Sequence, residues 1–187
     1  MAPPDRLHFT GDDEADRLLV DEPFALLVGF ALDQQVSVPR AFSAPLELKR
    51  RLGTLDPAAI AATDPEKLDR VFRAKPALHR FPGAMAERTH ALASVVAEEY
   101  GGEASRLWKG AADGDDLRRR LEALPGFGPM KVVGLGSVLA KLLGVEAAEP
   151  IVPHHPTLGD VDSPEAYERY AAAKRAYKAS RRAQPAG

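Results

Sequence analysis

The stretch LPGFGPMK, Leu124–Lys131, decides how this chain reads, because it interrupts two segments that share a helical period. Upstream, Leu117, Leu121 and Leu124 fall at i, i+4 and i+7, on one apolar face. Downstream, Val132, Gly136, Leu139 and Leu143 repeat that spacing. Between them Pro125 and Gly126 stop the first helix, Gly128 admits a positive φ, and Pro129 suits the first turn of the second helix. The pattern predicts a tight helix–hairpin–helix over residues 117–143. Its glycines leave backbone N–H groups at the second helix's positive end open to an anion, which points to the phosphate backbone of a nucleic acid.

Composition bounds the rest. At 187 residues the chain can bury a real core, as one unit of two closely packed helical lobes, and its 45% hydrophobic and 28% charged content are those of a globular protein. Without cysteine it has no disulfide, no thiolate nucleophile and no cysteine-held zinc or iron–sulfur cluster. The longest apolar run, Phe24–Leu32, is too short to cross a bilayer. The acidic N-terminus lacks a signal-peptide pattern, so a cytoplasmic, nucleoid-associated monomer is expected. The net charge of −2 argues against bulk attraction to DNA, but the charge is unevenly spread. Residues 1–22 hold seven acids and two bases, whereas residues 165–187 hold six bases and two acids. A basic face can therefore still meet phosphate, although a solvated terminal helix explains the same charges.

Helical patterns run nearly throughout. Residues 12–20 read as a short acidic helix, and Phe24 to about Val38 as a buried helix ending before Pro39. Asp56-Pro57 and Asp64-Pro65 are two helix starts, each an N-cap followed by proline. Ala84–Tyr100 is a longer helix closed by Gly101-Gly102. An irregular segment, Glu146–Asp160, precedes a basic last helix, residues 164–183, with Asp162 and Ser163 placed to cap it. The expected class is all-α, with no sheet and a short Ala/Pro/Gly tail.

With the hairpin and the helical pattern in place, the chain resembles the helix-hairpin-helix–GPD (HhH-GPD) superfamily of base-excision DNA glycosylases, and more closely a short cysteine-free branch of it. Two segments carry the likeness: LPGFGPMK, and PFALLVGFALDQQVS, Pro23–Ser37, similar to the early core helix that ends in a glutamine-containing turn. The resemblance implies two helical lobes gripping double-stranded DNA at their cleft and hydrolysis of the N-glycosidic bond of a damaged base. Such a reaction flips the nucleotide out, fills the gap and stabilises an oxocarbenium-like sugar with a carboxylate. Gap filling maps onto Gln35, with Gln34 beside it facing the lesion pocket, or either residue capping helix carbonyls instead. Gly126, Phe127, Gly128, Met130 and Lys131 would form the DNA-contacting hairpin. Lyase-competent members carry a lysine where this chain has Met130; Lys131 lies one residue on, about 100° around the helix. A monofunctional activity is therefore expected. The usual catalytic Asp is not at its usual spacing, leaving Asp160, in Leu158-Gly159-Asp160-Val161, and Glu149 as candidates. The resemblance also allows an alkali cation on hairpin carbonyls around Leu124–Phe127, and no other metal.

Other features stay open. His154 and His155 form an exposed loop pair or a contact point, without the spacing of a zinc site. Residues 75–83, Lys-Pro-Ala-Leu-His-Arg-Phe-Pro-Gly, either wedge a base step with Phe81 or anchor a loop through Leu78 and Phe81. Tyr100 and Trp108 could stack on a flipped base, but a lone tryptophan near helix ends belongs more often to a core. Arg169, Lys174, Arg175, Lys178, Arg181 and Arg182 could contact phosphate. A non-catalytic DNA-binding or lesion-sensing protein on the same scaffold is the alternative function, and a module that binds no DNA a third.

Overall fold

The computed structural model describes residues 2–184; the tail from Pro185 on lies outside them. Among these residues there are ten α-helices and no strand, so the expected all-α class holds. They are α1 (Asp13–Asp21), α2 (Pro23–Leu32), α3 (Val38–Leu52), α4 (Pro57–Ala61), α5 (Pro65–Arg73), α6 (Pro82–Glu99), α7 (Arg106–Lys109), α8 (Gly114–Glu122), α9 (Pro129–Lys141) and α10 (Pro164–Ala183). Two 3-10 turns, Glu146–Ile151 and Leu158–Asp160, lie between α9 and α10. Short polar side chains begin most helices as the sequence suggests. Asp56 accepts from Ala59 N–H, Asp64 from Glu66 N–H and Ser163 from Ala166 N–H, each satisfying an otherwise orphaned donor. Ser163, rather than Asp162, caps α10.

One expected boundary is wrong. The helix predicted to run from Phe24 to about Val38 stops at Leu32, and a second helix, α3, begins at Val38. Gln35 adopts φ 57°, a left-handed conformation that no helix continues through. Pro39 then sits in the first turn of α3, behind a Ser37 cap, where its missing N–H costs nothing. The proline that looked like a stop is a start.

Helix α2 is the axis of the N-terminal half. Each residue from Phe24 to Leu32 is buried, and α1, α3, α6 and α9 all pack on it. At the crossing with α3, a Cβ on Gly29 would lie 2.4 Å from Cδ1 of Phe42, so glycine is what lets that ring reach the α2 backbone. Phe42 in turn meets Phe9 and Phe30 edge to face, with centroids 5.1 and 5.0 Å away. The N-terminal strap is pinned by buried Asp16, which accepts from Phe9 N–H, Thr10 N–H and the Thr10 hydroxyl. In the C-terminal half, α9 packs against α8 and both 3-10 turns, and α10 touches the body mainly through its first turns, burying Ala166 and Tyr170. No helix of the described residues is long and apolar enough to cross a membrane.

Gly29→Ala should therefore lower unfolding free energy by about 1–3 kcal/mol, the usual cost of overpacking. A denaturant titration with an unchanged slope and an earlier midpoint is the expected result.

Candidate functional site

The last carbonyls of any helix lack intrahelical partners. In α2 they are met by side chains from three distant segments. Lys131, at the start of α9, donates from Nζ to Ala31 O at 2.9 Å. Arg88 of α6 donates from Nη1 to the same oxygen at 3.3 Å and to Gln34 Oε1 at 2.8 Å. His79, 1% exposed in the loop before α6, lies with Nε2 at 2.9 Å from Leu32 O, while its Nδ1 accepts from Phe81 N–H at 2.9 Å. Since Nδ1 is an acceptor, Nε2 carries the proton and donates to Leu32 O, which makes the ring neutral. Cations at a helix's negative end are favoured by its dipole as well as by these bonds.

The electrostatics of this end are unusual. Burial, and then the charge of Arg88, bring the Lys131 ammonium from its ordinary 10.5 down to about 8, with Asp33 opposing the fall. Asp33, the residue just past α2, is pushed above the usual carboxylate range by burial, although Lys174, Lys131 and Lys178 all pull it down. Burial also works against the Lys174 charge. There Tyr170, whose hydroxyl accepts from Nζ at 2.9 Å, together with Asp33 and Tyr167 outweighs burial and raises the ammonium. Burial lowers His79 against its carbonyl partner, in keeping with a neutral ring. The Asp33 carboxylate and the charges of Lys131, Arg88 and Lys174 thus act on one another around the C-terminal end of α2, beside the Gln34-Gln35 turn.

The hairpin has the expected order, α8, a glycine turn, then α9, but its glycines divide the work differently. Gly126 holds the positive φ, 78°, and a Cβ there would come within 2.5 Å of the Arg88 side chain. Gly128 is extended at φ −85°, with nothing within 4 Å of where a Cβ would sit. It therefore does not supply the positive φ expected of it; it leaves open space before the uncapped first turn of α9. Phe127, expected on the DNA-contacting surface, is a core residue at 6% exposure. Met130 projects outward at 80% exposure, whereas Lys131 turns inward to Ala31 O rather than outward as a phosphate contact would. Gln34 and Gln35 are both exposed.

Neither proposed acid joins this cluster. Asp160 is held by Lys141 Nζ at 2.6 Å and by Thr157 N–H at 2.9 Å, closing its own turn. Lys141 is ten residues along α9 from Lys131, a rise of about 15 Å. Glu149 is exposed on the first 3-10 turn, which packs on α8 and α9. His154 is exposed, while His155 stacks on Tyr177 of α10 with ring centroids 5.4 Å apart. Trp108 belongs to the core and Tyr100 is half-buried beside Arg106 and Arg120. In the loop before α6, Leu78 is the buried anchor and Phe81 stays 39% exposed, with the Arg80 guanidinium 5.3 Å from its ring centre. The Leu124 carbonyl, one of those that would face an alkali cation, accepts from Phe127 N–H at 3.1 Å within the turn itself. No group of three or more metal-ligating His, Asp or Glu side chains occurs among the described residues.

Asp33 escaped the sequence reading although it stands in the quoted motif, because a helix running through to Val38 would have made it one more mid-helix residue. Its one-letter neighbourhood, an acid ending nine apolar residues and followed by two glutamines, was the available signal.

The Lys131 environment makes a pH prediction. Between about 8 and 10.5 the unfolded chain binds a proton at this lysine that the folded chain has lost, so folding is favoured as pH rises through that window. Urea midpoints of the wild type should gain on those of Lys131→Met between pH 7.5 and pH 10. Parallel midpoints across that range would contradict the lowered ammonium. Compared with family models, with curated proteins and with solved structures, the chain matches none.

Proposed function

We propose that this chain is an HhH-GPD-type base-excision protein that binds duplex DNA through its hairpin and hydrolyses the N-glycosidic bond of a damaged base. The observation that carries the reading is the bond from Lys131 Nζ to Ala31 O, 100 residues earlier in the chain, which ties the start of α9 to the end of α2 just before the Gln34-Gln35 turn. Those two motifs carry the family resemblance, and they are neighbours in the fold. The open approach at Gly128 and the uncapped start of α9 suit a backbone phosphate. Exposed Phe81, on a loop tied by His79 to the same end of α2, suits a wedge between base steps. Met130 offers no amine, and the Lys131 amine is engaged with Ala31 O, so the reaction is hydrolysis without strand incision.

The displacement of Asp160 and Glu149 from the hairpin favours a second reading, a lesion-binding protein without base release. Both readings share one test. Anisotropy of a labelled duplex should show affinity falling linearly with log salt, with a slope shallower by about two when Arg181 and Arg182 are replaced by alanine. Phe81→Ala should weaken duplex binding by about 1–3 kcal/mol. Incubation with duplexes bearing uracil, hypoxanthine, oxidised guanine or alkylated purines should yield nicks only after alkali. Binding without nicks on any lesion supports the second reading, and no duplex affinity even at low salt defeats both.

A further inference from the structure

We infer that the outer half of α10, with His155 stacked against it, is a platform for an unpaired DNA strand, taking a base on Tyr177 and the neighbouring phosphates on the cations of the helix. The inference goes beyond base excision and does not depend on it. It begins from charge. From Arg169 to Gln184 the chain carries six cations, Arg169, Lys174, Arg175, Lys178, Arg181 and Arg182, and no acid. None of the six lies within ion-pair distance of a carboxylate among the described residues. Every residue from Arg175 to Gln184 is exposed, so this charge faces outward and suits a polyanion.

The aromatic side chains say which polyanion. Tyr170 and Tyr177 stand seven residues apart on one face of α10, and each hydroxyl accepts from the cation four residues on: Tyr170 from Lys174 Nζ at 2.9 Å, Tyr177 from Arg181 Nη1 at 3.2 Å. The two pairs share a pattern but not a setting. Tyr170 is buried against the body, whereas Tyr177 remains 36% exposed, with the Arg181 guanidinium 5.9 Å from its ring centre. His155 reaches it from the loop between the two 3-10 turns. The imidazole and phenol rings lie nearly parallel, 21° apart, with centroids separated by 5.4 Å.

Two rings from different elements are thus already stacked at the surface, beside a guanidinium and within a run of cations. A nucleobase adds to such a stack as its next ring, and the contact serves any base because every base has a π face. In a duplex those faces are covered by neighbouring pairs, so an unpaired strand is the form that fits. An anionic lipid surface or an acidic peptide would match the cations but would make no use of the stacked pair. Lys174 and Lys178 also act electrostatically on Asp33, which puts this stretch of α10 within reach of the end of α2.

Anisotropy of a labelled oligothymidylate about twelve nucleotides long should show binding by the full chain that weakens with salt. Tyr177→Ala should weaken it about 5- to 150-fold, the worth of one stacked base, while Tyr177→Phe, which keeps the ring, should stay within about threefold of the wild type. A strand of the same length built from abasic nucleotides has the charge without the bases. The wild type should bind it more weakly by a similar factor, and Tyr177→Ala should bind it as the wild type does. Equal losses on both strands, or unchanged affinity of Tyr177→Ala for the thymidylate, overturn the inference. Binding to phosphatidylglycerol vesicles with no affinity for the thymidylate at low salt also overturns it, in favour of a lipid surface. Should Tyr177→Ala melt earlier than the wild type by circular dichroism, His155→Ala decides, since it dismantles the stack without touching α10: a loss confined to the thymidylate supports the platform, and unchanged affinity overturns it.

Discussion

Helix α2 has no side that can face water, since nine consecutive residues of it are buried and four other helices close around it. A helix enclosed in this way still ends in carbonyl oxygens that need donors, and water cannot reach them freely. The fold answers with Lys131, Arg88 and His79, drawn from α9, α6 and the loop before α6. Satisfying two carbonyls therefore fixes where the hairpin, the long helix and the Phe81 loop stand relative to one another. The same three side chains that close the architecture hold the residues on either side of Asp33 and reach the glutamine turn. Structure and candidate chemistry share one set of hydrogen bonds.

Much of this was legible in the chain. The hairpin, the two Asp-Pro starts, the long helix closed by paired glycines and the late basic helix follow from local signals: caps, proline at the first turn, glycine at the end. Helix α3 was hidden because Pro39 reads as a stop and Pro45 falls inside it, and proline's position within a helix is not visible until the boundaries are known. The turn at 33–37 was hidden with it, since glutamine in a left-handed conformation carries no sequence mark of the kind glycine does.

The site was half legible for a related reason. Spacing along a helix identified Lys131 and Met130 as neighbours with different directions, and the structure sends one inward and the other out. Spacing could not say that the inward one meets Ala31, because that contact depends on how α2 and α9 cross. Phe127 looked like a recognition residue by its place between two glycines, yet the turn folds its ring into the core. Asp160 had the right local setting, a glycine-containing turn before a helix, but at the far end of α9.

Met85 and Met130 differ widely in their access to solvent. Met85 is 2% exposed with its sulfur 3.8 Å from Arg88 Nη1, while Met130 is 80% exposed at the first turn of α9. Peroxide therefore meets Met130 first, and its sulfoxide would place a polar, chiral group on the tip of the hairpin while the core thioether stays reduced. Of the two methionines among the described residues, the exposed one sits on the hairpin, which directs oxidation to that turn and away from the core.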